Sequence, residues 1–309
     1  MTQPSLMCSQ LAHEAGTQQF GSAQHIKIWF LLEYAQPFGA NAIDDFWAQE
    51  FAGIDHKRLS AFPDSRWQLI KQQESKSSEA ITLFVAVTDE VQPRLYQFKL
   101  RRYDEILQLD AEALLRGASE FERARHSAPL FLVCTNGKRD PCCAKHGLPL
   151  YHEMHKHGGG AVWQSSHIAG HRFAATMICF PHGIYYGQVA PSEAYTVIEL
   201  YRAGQMYYEK LRGRACYPRA AQVAEYYLRA ESRNRALDAF RLLDIRQDAD
   251  QTHVARFESQ EHGHLIHRVQ FVESASAWET YPSCDAAVPR RDSVYKLLKY
   301  EVGSAKDTP

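Results

Sequence analysis

Long apolar runs are missing from this sequence of 309 residues. No stretch approaches the roughly 20 consecutive apolar residues that a membrane-spanning helix needs, and no charged opening leads into an apolar core of the secretory kind. The expectation is a soluble, cytoplasmic protein with no membrane partner. An excess of charge of one sign is missing too. Lys and Arg number 35 against 36 Asp and Glu, a formal net charge of -1, so no broad field favours nucleic acid as a partner. Absent as well are the GxGxxG and Walker loops of nucleotide-binding proteins, and the CxxC spacing that dithiol redox chemistry normally uses.

What is present suits a folded chain. The hydrophobic fraction is 45% and the charged fraction 23%, enough apolar surface for two domains or one large core with appendages. The seven cysteines, at positions 8, 134, 142, 143, 179, 216 and 284, are odd in number and dispersed. That pattern favours free thiols and a local metal site over a disulfide framework.

The first third mixes strand-like and helical patterns. His25–Tyr34, Ala80–Val87 and Arg94–Leu100 read as strands, Ala42–Phe51 and the segment from Asp110 as helices, and Arg66–Glu74 as a weaker helix. From Pro129 the order is strand, helix, strand, loop, hairpin and helix, that of a small thioredoxin-like α/β unit. Beyond it, Ala220–Leu243 reads as mostly helical, and Val254–Glu258 and Leu265–Glu273 as strands. SVYKLLKYEV fits a strand or a short helix equally well.

The chemistry concentrates after Pro129. Cys134 ends the apolar run PLFLVCT, and the polar loop NGKRDP leads to the adjacent pair Cys142 and Cys143. His167 and His171 follow in HIAGH. Two thiolates and two imidazoles can complete a [2Fe–2S] cluster, one pair on each iron, and the same donors can hold one zinc ion. Neighbouring residues entering a helix point about 100° apart, so only one of Cys142 and Cys143 is expected to face the site; the bare pattern does not say which. Arg172, Lys138 and Arg139 read either as partner-docking cations or as local ion pairs. Tyr185 and Tyr186 read as packing residues of the hairpin.

The stretches CTNGKRDPCCAKHG, VWQSSHIAGHRFAATM and GIYYGQV together resemble the sucrase/ferredoxin-like family. The family's C-x8-C loop selects Cys134 and Cys143 and leaves Cys142 between them. Its HxxGHRFA motif is matched by His167, Gly170, His171, Arg172, Phe173 and Ala174. The resemblance implies a [2Fe–2S] cluster on Cys134, Cys143, His167 and His171, and a one-electron carrier rather than a stand-alone enzyme. Its partners would be redox proteins, a separate reductase and an electron acceptor. The expected fold is α/β: a thioredoxin-like ferredoxin domain over residues 125–210, an additional N-terminal α/β supporting domain over 1–124, and a helical and strand-containing C-terminal extension over 211–309. One alternative is a structural Cys2His2 zinc protein that mediates protein interactions. Another is a hydrolase, suggested only by the family's label; no motif places the two facing carboxylates that glycoside hydrolysis requires.

Overall fold

The computed structural model describes residues 7–73, 75, 79–260 and 264–304, so the polar tail from 305 onward lies outside the described residues. After a short helix α1 (Cys8–Glu14), the chain alternates strands and helices up to residue 214: β1 (Ile28–Glu33), α2 (Ala42–Glu50), α3 (Lys57–Ser60), β2 (Ser65–Lys71), β3 (Ile81–Val87), β4 (Arg94–Leu100), α4 (Ala111–Arg116), β5 (Leu130–Cys134), α5 (Pro141–Gly158), β6 (Val162–Ser165), β7 (Met177–Phe180), β8 (Ile184–Tyr186), α6 (Ala194–Arg202) and β9 (Leu211–Arg214). Among the described residues no helix is long and apolar enough to cross a membrane.

These strands make one nine-stranded sheet in the order β4-β3-β1-β2-β6-β5-β7-β8-β9. The expected thioredoxin-like fold is corrected here: the sheet is not open and gently twisted but curls strongly into a near-closed half-barrel. Two causes are visible. Adjacent twisted strands rotate by roughly 20–25° each, and over nine strands that rotation bends the sheet back on itself. The strands before residue 124 and those after it are also joined by a ladder of only two pairs, Ile70↔Ser165 and Lys71↔Gln164. Residues from both sides of this junction share an apolar interior, with Trp29, Leu31, Phe84 and Leu95 meeting Leu130, Leu132, Ile178 and Tyr185.

Alternation within strands explains how each face is filled. Phe30 and Leu32 point into a cluster under α2 and α4, while Trp29 and Leu31 point into the shared interior. On β5, Phe131 and Val133 pack under α5 and α6, and Leu132 and Cys134 turn inward. Such strands, buried on both faces, have no polar side to show in the sequence. The segment expected as a helix over Arg66–Glu74 is instead β2 up to Lys71, parallel to β1 from Ile28↔Ser65 to Glu33↔Ile70; Glu74 lies outside the described residues.

The remainder folds as helix α7 (Arg219–Ser232) against a four-stranded antiparallel sheet of β10 (Phe240–Gln247), β11 (His253–Ser259), β12 (Ile266–Thr280) and β13 (Arg290–Gly303). Val223 and Leu228 of α7 pack on Phe257, Val269 and Phe271. The helical reading of Ala220–Leu243 therefore holds only to Ser232: Arg233 takes a left-handed φ of 54°, and β10 begins seven residues later. The undecided SVYKLLKYEV segment is strand β13. With 15 and 14 residues, β12 and β13 form an arm about 50 Å long. Its tip, residues 281–289, returns to the start of α5.

Candidate metal centre

Cys134 is the last residue of β5 and is buried. A tight loop follows, in which the buried Asn136 donates its backbone N–H to the Cys134 sulfur. Asp140 then caps α5: its Oδ1 accepts from the Cys142 N–H at 2.9 Å, and Pro141 occupies the first turn, where a missing N–H costs nothing. The first helical turn thereby brings Cys143 back over Cys134. Gly147, one turn on, is required for this approach, because a Cβ there would collide with the Cys134 carbonyl oxygen. Sequence-adjacent Cys142 points the other way, out of this group.

His167 and His171 come from the loop after β6. Ser166 anchors that loop, its Oγ accepting from the Leu69 N–H at 3.1 Å, and Arg66 donates to the His167 carbonyl at 2.7 Å. Gly170 has a φ of +76° and lies against the buried Arg212 guanidinium, leaving no room for a side chain. Arg212 in turn donates to the Ala169 carbonyl at 3.0 Å and to the Ser22 carbonyl at 2.8 Å. The loop is therefore held from beneath by one buried cation.

Three donors converge closely. Ligand atoms of Cys134, Cys143 and His167 all lie within 4.8 Å of one another. His167 Nδ1 is 3.9 Å from Cys134 Sγ and 3.6 Å from Cys143 Sγ. His171 stands one step further out, its Nδ1 3.4 Å from His167 Nε2. The four expected residues thus meet, but as a compact trio with the fourth behind it, not as two matched pairs. His171 Nε2 lies 2.7 Å from the Pro282 carbonyl, which requires the proton on Nε2 and leaves Nδ1 unprotonated, its lone pair turned toward His167. Burial lowers the His171 pKa, and the Asp140 carboxylate opposes that shift. The Cys134 thiol is held well below its ordinary value, chiefly by a hydrogen bond from the Cys143 thiol and further by His167.

A second group lies on the far side of Asp140, formed by Cys8, Asp140, Cys142 and Cys284. Sequence reasoning missed it. Cys8 and Cys284 are 276 positions apart and share no local motif; the family resemblance extends to the late stretch TYPSCDAAVP, which contains Cys284, but gives that cysteine no role and does not reach Cys8. Arg212 lies in another stretch that resembles the family, YEKLRGRAC, but nothing local marks it as a buried arginine beneath the histidine loop. Of the other residues singled out, Arg172 pairs with Asp292 and Arg139 reaches Asn41 at 3.4 Å, while Tyr185 and Tyr186 are fully buried.

The sucrase/ferredoxin-like family model matches residues 19–213, more than half of the chain. The chain belongs to the sucrase/ferredoxin-like family. The matched segment contains Cys134, Cys143, His167 and His171 but excludes Cys8, Cys284 and the arm tip. No curated protein and no solved structure matches the chain. Family membership and two groups of potential metal ligands fit a protein that binds metal.

Proposed function

We propose that the protein carries electrons one at a time through a [2Fe–2S] cluster held by Cys134, Cys143, His167 and His171. The observation that carries this reading is the meeting of two buried thiols with two half-buried imidazoles at the end of β5 and the start of α5. The donor set fits the group: thiolates and neutral imidazoles are both iron ligands, and Asn136 already directs an N–H at the Cys134 sulfur. Such a cluster supplies one-electron redox chemistry when bound. The burial gradient makes the histidine side the port, because electron transfer favours the shortest path to a partner's surface.

The surroundings of that port suggest the partner's chemistry. Arg172, Arg219, Arg290 and Arg291 line a cleft that opens beside His171. The last three are exposed, and an acidic face on a reductase or acceptor would be steered toward them. Association should then slow as salt is raised.

A second reading rests on the compactness of the trio. Cys134, Cys143 and His167 lie close enough together to hold a single zinc ion, with His171 or a water as the fourth ligand. Iron and acid-labile sulfide analysis, with electron paramagnetic resonance after dithionite reduction, separates the two. The electron-carrier reading expects about two iron and about two sulfide per chain, and one unpaired electron on reduction. Zinc at this site after anaerobic purification, lost on Cys134→Ser substitution and with no iron present, overturns it.

A further inference from the structure

We propose that the Sγ atoms of Cys8, Cys142 and Cys284, together with a carboxylate oxygen of Asp140, form a second, structural zinc site. The three sulfurs stand at the corners of a near-equilateral triangle: 3.5 Å from Cys8 to Cys142, 3.4 Å from Cys142 to Cys284 and 3.5 Å from Cys284 to Cys8. Sulfurs bound to one tetrahedral zinc, at Zn–S distances of about 2.3 Å, lie about 3.8 Å apart. A disulfide joins two sulfurs and leaves the third without a role, whereas a metal uses all three. Asp140 completes the set, its two oxygens 4.0 and 3.8 Å from Cys8 Sγ. Three soft thiolates and one harder carboxylate oxygen close all four positions with anionic donors, leaving none open as a catalytic site would.

The outer partners of these ligands are also in place. The Cys8 backbone N–H donates to Cys284 Sγ at 3.4 Å, and the Ser9 hydroxyl donates to Cys142 Sγ at 3.1 Å. Asp140 is held by the N–H groups of Cys142 at 2.9 Å and Cys284 at 3.0 Å, each oxygen keeping a lone pair for a metal. Hydrogen bonding of this kind orients zinc ligands and favours the thiolate form. The ligands also come from three separate parts of the chain: the N-terminal helix α1, the first turn of α5 and the tip of the β12–β13 arm. One ion would clamp both outlying segments onto the helix that carries Cys143. Asp140 would then belong to this site while lying 3.8 Å from His171 of the other group.

Metal analysis of the chain, purified anaerobically without chelator, tests this independently of the electron-carrier reading. The expected result is about one zinc per chain, with an X-ray absorption shell of about three sulfurs and one lighter atom. The double variant Cys8→Ser/Cys284→Ser should lose that zinc and keep its iron; Cys134→Ser/Cys143→Ser should lose iron and keep the zinc. If iron is absent throughout but zinc still follows Cys8 and Cys284, the electron-carrier reading fails and this one stands. Zinc below about a tenth of an equivalent, or a shell with fewer than three sulfurs, overturns the proposal without reference to how any variant folds. So does a disulfide among the three cysteines in the protein as isolated.

Discussion

His171 Nε2 meets the carbonyl oxygen of Pro282 at 2.7 Å, joining a residue of the family motif to the tip of an arm that lies outside the matched segment. The carbonyl fixes the ring's tautomer and its direction. Loss of an outer partner of this kind typically costs about 10–100-fold in metal affinity. Replacing residues 281–289 with a short Gly-Asn turn should therefore speed iron loss to a ferrous chelator by about tenfold or more. An unchanged rate would mean that the tip covers His171 without supporting it.

In the proposed cluster, exchanging an outer imidazole for a thiolate adds negative charge next to the iron. His167→Cys or His171→Cys should lower the reduction potential by on the order of 100 mV if the cluster assembles. His25→Ala, at an exposed position ahead of β1, should leave spectrum and potential unchanged. Protein-film voltammetry on the three variants makes the comparison. Full occupancy and an unaltered visible spectrum after removing both His167 and His171 would count against their role.

Gly147 is where α5 touches the backbone of β5, and the atom it meets is the Cys134 carbonyl oxygen. Backbone yields less than a flexible side chain, so Gly147→Ala should cost about 2–3 kcal/mol and reduce iron content at the same time. Gly160, with open space around its Cα, provides the control: Gly160→Ala should change stability by less than about 0.5 kcal/mol. Urea titrations followed by far-UV circular dichroism give both numbers.

Glu225 of α7 sits between two buried guanidinium groups, 3.0 Å from Arg229 and 3.5 Å from Arg214. Removing its charge strands two cations in the interior. Glu225→Ala should destabilise the protein by about 3–5 kcal/mol. By contrast, Glu112→Ala, which breaks an exposed pair with Arg116, should cost less than about 0.5 kcal/mol. Similar losses for the two variants in thermal or urea unfolding would show that the buried pair is hydrated.

Local patterns in the sequence carried some elements well and others poorly. The apolar run ending at Cys134, the helix expected from Cys142 and found from Pro141, and the hairpin after Phe180 each follow from a few neighbouring residues. β2 did not, because Arg66–Lys71 becomes a strand by pairing with β1, almost forty residues earlier. The curl of the sheet escaped for a similar reason: it depends on a two-pair ladder at Ile70 and Lys71 that no local pattern encodes. At the candidate metal centre, Cys134, His167, His171 and the pair Cys142 and Cys143 stood out because they fall within 38 consecutive residues, and only the resemblance to the family's C-x8-C loop singled out Cys143. Cys8 and Cys284 are brought together by the packing of the N-terminal helix and the arm tip, a relation of distance in the fold that their sequence neighbours do not reveal.

The arm tip also fixes an order of events during synthesis. Pro282 follows His171 by 111 residues. At translation rates of about 5–20 residues per second, the loop bearing the histidines emerges on the order of ten seconds before the segment that covers it. Throughout that interval His171 lacks the carbonyl that fixes its tautomer and direction. A metal that enters the site in that interval meets an imidazole whose tautomer is not yet set, and a nascent chain stalled short of Pro282 stays in that state.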